Sequence, residues 1–166
     1  MTFVRSVVIL ALISCTALSL ACGGSANSAA NSKSSAVSNQ ANANVNVVRS
    51  NVEELGLLVN VPYETEDIVW KEYPSPKRIL AVLRFSSADA AKLVAEAEKI
   101  GQPETVTISS ETWFPAELTA QSEMSGDDNL SGRSYAANQF VQEPYSSGRL
   151  VRIDKTDYFV LDLVAK

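Results

Sequence analysis

The side chains that could do chemistry in this sequence are carboxylates, amides and hydroxyls, since the chain has no histidine and only two cysteines, Cys15 and Cys22. Without histidine, neither a Ser-His nor a Cys-His pair can activate a nucleophile, and the commonest metal ligand is missing. No serine lies in a G-x-S-x-G or S-x-x-K motif, and the sequence has no glycine-rich phosphate loop. These features favour a non-catalytic protein that uses no cofactor.

Two acidic segments are the remaining candidates for metal binding or catalysis. Asp127, Asp128 and Asn129 lie in the glycine-containing segment "SGDDNLSG", whose oxygens could bind a hard cation. Their spacing departs from the calcium-loop signature and is typical of a turn, so we predict no metal site there. Asp154 and Asp157 could be the acid and base of a glycan hydrolase, which lie ~5 to 9.5 Å apart in such enzymes, or could simply form a turn.

Aromatic side chains beside predicted loops are the candidates for a binding surface. Trp113, Tyr135 and Tyr145 each lie in or next to such a loop, and exposed aromatic residues are common anchors at binding sites. The alternative is that these rings fill the core of a domain that has no disulfide bond. We take Trp113, Tyr135 and Tyr145 as the predicted ligand- or partner-binding residues.

Alternating and continuous apolar patterns predict the strands that would position these residues. Residues 67–73, "DIVWKEY", alternate, and "PSPK" then breaks the pattern as turn residues do. Residues 78–85, "RILAVLRF", are apolar on nearly both faces, which predicts a central strand paired antiparallel with the preceding one. Residues 104–109, "ETVTIS", predict a further strand.

Two segments have the pattern of amphipathic helices. Residues 86–101 begin with a serine suited to capping, carry Asp89 in the first turn and end at Gly101. Residues 113–123 place Pro115 near the start of a run of good helix formers.

The C-terminal third predicts loops followed by a hairpin. Residues 124–134 are rich in turn formers, and "SSGR" (146–149) also predicts a turn. Residues 149–153 and 157–165 predict two strands joined by "DKT", with Asp162 on the face opposite the apolar residues. Together the elements predict an α+β domain with a mostly antiparallel sheet and about two helices.

The charge pattern argues against a nucleic-acid partner. The chain carries 14 Lys and Arg against 19 Asp and Glu, a net charge of −5, which repels phosphate groups. Lys77 and Arg78 are the only adjacent basic pair, and we interpret them as a solvated entrance to a strand.

The N-terminal segment has the layout of a secretory signal peptide. Arg5 precedes an apolar run from Val7 to about Leu20, which is short for a membrane-spanning helix of about 20 residues. A small residue, Ala21, then precedes Cys22 and two glycines.

Residues 18–24, "LSLACGG", resemble the lipobox of bacterial lipoproteins. The resemblance implies cleavage before Cys22, a diacylglyceryl group on its sulfur and acylation of the new amino group. Residues 12–15 offer a competing match at Cys15, but the apolar run before it has only about eight residues. An ordinary secretory signal is the other alternative. The absence of Asp after Cys22 favours the outer membrane within this family.

A low-complexity segment separates Cys22 from the predicted domain. Residues 23–46 are almost wholly Ala, Ser, Asn and Gly, a composition that cannot bury enough surface to offset its ordering entropy. We therefore divide the chain into a signal peptide (1–21), a lipid-anchored cysteine and linker (22–47), and a globular domain (48–166).

Two functions follow as hypotheses. The first is a lipid-anchored, non-catalytic binding or structural module of the cell envelope, with an envelope protein or a glycan as its partner. The second is a carboxylate-dependent envelope hydrolase that acts on glycan.

Overall fold

The computed structural model describes residues 47–166. The predicted signal peptide, Cys22 and all but the last residue of the predicted linker lie outside the described residues. The described chain contains three α-helices, a short 3₁₀ helix and six strands. In chain order they are α1 (Val52–Gly56), β1 (Thr65–Pro74), β2 (Lys77–Phe85), α2 (Ser87–Glu98), β3 (Glu104–Ser109), α3 (Ala116–Ser125), β4 (Asn129–Ala136), the 3₁₀ helix (Asn138–Phe140), β5 (Tyr145–Ile153) and β6 (Tyr158–Ala165).

The strands form one sheet in the order β1-β2-β6-β5-β4-β3, and every neighbouring pair is antiparallel. Strand β2 lies between β1 and β6, so Leu83 has Ile68 on one side and Phe159 on the other. The sequence prediction of a central strand at residues 78–85 is confirmed. The predicted α+β class with a mostly antiparallel sheet is also confirmed.

Both faces of the sheet are covered, which explains why β2 is apolar on both sides. Ile79, Ala81 and Leu83 pack in a cluster with Leu55 of α1 and Leu93 of α2; we call this side of the sheet the α2 face. The other side, which we call the α3 face, carries a second hydrophobic cluster. That cluster contains Leu80, Val82, Phe114, Leu118, Leu130, Val151, Ile153, Tyr158 and Val160.

Local sequence sets the ends of the two longer helices. The Ser86 hydroxyl accepts a hydrogen bond from the Asp89 amide at 3.1 Å, which caps α2 as predicted. Helix α3 begins after Pro115 and ends at Gly126, whose φ of 83° is a left-handed conformation that glycine adopts without steric cost.

Two strands replace segments for which the sequence predicts turns. Strand β4 covers much of the predicted loop at 124–134, and "SSGR" lies inside β5. Each strand contains a glycine that the neighbouring strand approaches closely. A Cβ atom at Gly132 would clash with the Arg152 carbonyl oxygen, and one at Gly148 would clash with that of Asp162. These glycines serve strand packing here rather than turn formation.

No helix within residues 47–166 is long and apolar enough to cross a membrane.

Candidate functional site

The three aromatic residues predicted to form a binding surface do not lie together. Tyr135 and Tyr145 are buried, with 5% and 1% of their surface exposed, and both pack in the cluster on the α2 face. Trp113 is half-buried and packs against the cluster on the α3 face. The expectation of one exposed aromatic surface is therefore corrected. Tyr135 and Tyr145 begin or lie within strands whose apolar neighbours draw them into the core.

Tyr145 has a structural partner on a different strand of the sheet. Its hydroxyl donates a hydrogen bond to Glu72 Oε1 at 2.9 Å, linking β5 to β1. Burial, together with this carboxylate, raises the pKa of Tyr145 above its usual value. The hydrogen bond satisfies a phenol that would otherwise lose solvation in the core.

Side chains of the two acidic segments are paired within the domain. The Ser125 hydroxyl donates to Asp127 Oδ1 at 2.9 Å, and Asp157 pairs with Arg152 at 3.0 Å and accepts from Ser87. Among residues 47–166, the structure brings no three Cys, Asp or Glu side chains close enough to hold a metal ion.

A cleft of about 310 Å³ on the α3 face is the candidate functional site. Its apolar lining comes from Leu80 of β2, Val160 of β6 and Val151 of β5, with Phe114 from the segment that precedes α3. These four side chains belong to the α3-face cluster, so the bottom of the cleft is part of the core. Residues 107–109 of β3 line the cleft as well.

Asp162 and two arginines form the polar side of the cleft. Arg78 Nε donates to Asp162 Oδ1, and Arg149 Nε lies 3.5 Å from Asp162 Oδ2, so one carboxylate is hydrogen-bonded to Arg78 and forms an ion pair with Arg149. The three residues lie on neighbouring strands β2, β6 and β5. Asp162 is directly opposite Arg149, and it is opposite Leu80, two residues from Arg78 on the same face of β2. The hydrogen bond that Arg78 donates to the Asp162 carboxylate raises the pKa of Arg78 above its ordinary value.

The arginines retain binding capacity after this pairing. Both contact Asp162 through Nε, and no residue in 47–166 accepts a hydrogen bond from the terminal Nη nitrogens of Arg78 or Arg149. Arg149 has 48% of its side chain exposed, and Arg78 has 34%. Planar guanidinium groups bind carboxylates and phosphates through paired hydrogen bonds. The cleft therefore offers an apolar bottom beside two oriented anion-binding groups.

Glu111 lies at the same cleft and is held by two aromatic donors. The Tyr73 hydroxyl donates to Glu111 Oε2 at 3.0 Å, and Trp113 Nε1 donates to the same oxygen at 2.6 Å. The indole of Trp113 also packs edge-on against Phe114, with ring centroids 4.8 Å apart. Trp113 thus positions a carboxylate of the cleft, which is the structural role of the one predicted aromatic residue on this face.

Sequence reasoning missed the cleft because five separate segments build it. The sequence does contain one signal: Asp162 is the only charge within the apolar run "YFVLDLVA", and it lies on the face opposite Leu161 and Leu163. A charge there needs a partner. The expectation that Arg78 forms only a solvated strand entrance is corrected, because its guanidinium group is paired with Asp162 and lies 5.6 Å from the centre of the Tyr73 ring.

Comparison of the chain with models of protein families, with curated proteins and with solved structures finds no match.

Proposed function

We propose that this protein is a lipid-anchored lipoprotein of the bacterial envelope, and that its domain is a binding module whose cleft takes a ligand bearing a carboxylate. The lipobox-like segment at Cys22 supports the anchor. The outer membrane is the preferred location, since Gly23 follows the cysteine where inner-membrane lipoproteins commonly have Asp. The low-complexity composition of residues 23–46 supports their role as a linker between the anchor and the domain.

One observation carries the ligand assignment. Asp162 pairs with Arg78 and Arg149 at their Nε groups, while their terminal nitrogens have no acceptor within residues 47–166. A bound carboxylate would supply those acceptors, and an apolar group next to it would pack on Val151, Val160 and Phe114. An envelope peptide with a free C-terminus and an acidic sugar both carry this chemistry.

A second candidate function rests on the two carboxylates of the cleft. Glu111 and Asp162 line the same cavity, as the acid and base of a glycan hydrolase would. Their contacts favour the binding module, because Asp162 is paired with two arginines and Glu111 accepts from Tyr73 and Trp113. A general acid or base needs instead to exchange a proton with substrate.

Titration of the isotopically labelled protein, followed by nuclear magnetic resonance, tests the proposal. The probes are N-acetyl-dialanine, its C-terminal amide, and glucuronate. Binding of either acid with shifts at Val151 and Val160, and no binding of the amide, supports the module. Equal binding of the acid and the amide contradicts a carboxylate site. Release of soluble fragments from peptidoglycan by the purified protein supports the hydrolase and contradicts the non-catalytic binding module.

A further inference from the structure

The two edge strands of the sheet differ in how they are protected. At the β1 edge, Arg49 and Trp70 exchange backbone hydrogen bonds of 2.8 Å in both directions, and the Trp70 indole donates to the Asn51 carbonyl. Strand β1 also has a register irregularity between Thr65 and Asp67. Coverage and bulges are devices that prevent an edge from pairing with another strand.

Within residues 47–166, the β3 edge has no backbone coverage and no register irregularity. Its sequence, "ETVTIS", has no lysine, no proline and no irregularity in its register with β4, and four of its six residues are β-branched. Its one charged residue, Glu104, lies at the end of the strand. Such a strand is suited to pairing with another strand.

The register identifies which backbone groups are open. The Ser110 amide donates to the Asp128 carbonyl at 2.8 Å, which continues the β3–β4 ladder. Because hydrogen-bonded and non-bonded pairs alternate in an antiparallel ladder, the even-numbered residues of β3 bond to β4. Thr105, Thr107 and Ser109 therefore direct their N–H and C=O groups outward, and none of these groups has a backbone partner within residues 47–166.

We propose that β3 pairs antiparallel with β3 of a second copy of this chain, around a two-fold axis at Thr107. This register pairs all three residues with outward groups: Thr107 faces Thr107 of the second copy, and Thr105 faces Ser109. A two-fold axis at Val106 or Ile108 would pair only two of them. This arrangement is closed, as cyclic dimers require.

The side chains support a second copy as the occupant. In this register the half-buried Val106 lies opposite Ile108 of the second copy, so two apolar side chains that pack at the rim of the α3-face cluster gain further burial. Hydroxyl side chains meet on the other face, where Thr–Thr and Thr–Ser pairs are favourable. Glu104 lies opposite Ser110 rather than a second Glu104, so no like charges face each other directly.

Co-purification of two differently tagged full-length copies, solubilised in detergent, tests the pairing. The wild-type copies are expected to co-purify. Thr107→Lys in both copies places two positive charges opposite each other and is expected to reduce co-purification to background. A Thr107→Lys copy with a Thr107→Glu copy is expected to restore it.

The matched control is Ser131→Lys in both copies, since Ser131 is exposed beside Thr107 on β4 but not at the edge. It should co-purify as the wild type does. The Thr107→Lys pair also controls for association through the N-terminal segments, which are unchanged. Failure of wild-type copies to co-purify, or undiminished co-purification of the Thr107→Lys pair, overturns the proposal.

Discussion

The Tyr73 hydroxyl donates a hydrogen bond to Glu111 Oε2 at 3.0 Å, although the two residues belong to opposite ends of the strand order. Tyr73 lies on edge strand β1, and Glu111 follows the opposite edge strand, β3, by two residues. In a flat sheet of six strands these edges would be about 24 Å apart, at ~4.8 Å for each neighbouring pair. This contact ties the segment between β3 and α3, which supplies Glu111 to the cleft, to the far edge strand of the sheet.

Removing this link is expected to lower the stability of the domain. Tyr73→Phe deletes a hydrogen bond to a charged acceptor and should reduce the free energy of unfolding by about 1.5–3 kcal/mol in urea denaturation. Tyr63→Phe is the matched control, since the Tyr63 hydroxyl donates to Glu96 at 3.0 Å outside the cleft. A cost for Tyr73→Phe no larger than that for Tyr63→Phe contradicts the structural role of the contact.

The domain should lose stability at alkaline pH. Burial and the Glu111 hydrogen bond raise the pKa of Tyr73 to about 12, and burial and Glu72 raise that of Tyr145. The folded state therefore keeps these phenolic protons after the unfolded chain begins to lose them near pH 10. Stability is constant just below about pH 10 and falls as pH rises from about 10 to 12.

Urea denaturation between about pH 9 and 11 measures this loss, and the double variant Tyr73→Phe, Tyr145→Phe is expected to show a smaller one. The same pH dependence in the double variant and the wild type would assign the loss to other groups.

Residues 48–166 are expected to fold without the preceding segment, since both hydrophobic clusters lie within them. Leu83→Ala in this fragment should cost about 2–5 kcal/mol, because Leu83 is fully buried between two strands. Leu57→Ala is the matched control, with Leu57 78% exposed, and should change stability by no more than ~0.5 kcal/mol. Equal effects in urea denaturation would refute the placement of Leu83 in the core.

Lipidation is expected at Cys22. In a bacterial host, metabolic labelling with a palmitate analogue should mark the wild-type protein and Cys15→Ala, whereas Cys22→Ala should carry no label. Label that persists in Cys22→Ala and is absent from Cys15→Ala would place the anchor at Cys15. Absence of label from every form would indicate that the N-terminal segment is an ordinary secretory signal.

Sequence patterns predicted the parts of the fold whose periodicity follows directly from burial. Strand β2 is apolar on both faces because both faces are covered, and α2 has a capping serine and a buried stripe at helical spacing. The sequence predicts turns in parts of β4 and β5, because Gly132 and Gly148 are of a residue type that is common in turns. Their need for glycine comes from neighbouring strands, which only the tertiary structure brings close.

The sequence alone predicts little of the candidate site, because its residues are brought together only by the tertiary structure. Arg78 and Asp162 are 84 residues apart and meet only through the β2–β6 register. The loops near Tyr135 and Tyr145 predict that both side chains are exposed. Instead, both residues lie in paired strands, and their side chains pack in the cluster on the α2 face. The prediction that Trp113 lies in or beside a loop is confirmed. Glu111, which accepts a hydrogen bond from its indole, is only two residues away in the sequence.

The measurement that tests the central claim most directly is the affinity of residues 48–166 for N-acetyl-dialanine, with and without the Arg149 guanidinium group. Arg149→Gln is expected to weaken binding about tenfold to a hundredfold, since a hydrogen bond between charged groups contributes about 1.5–3 kcal/mol. Arg133→Gln is the matched control, because Arg133 is an exposed arginine on β4 that does not line the cleft and should leave the affinity unchanged. Binding that Arg149→Gln leaves intact, or that wild type does not show, contradicts the account.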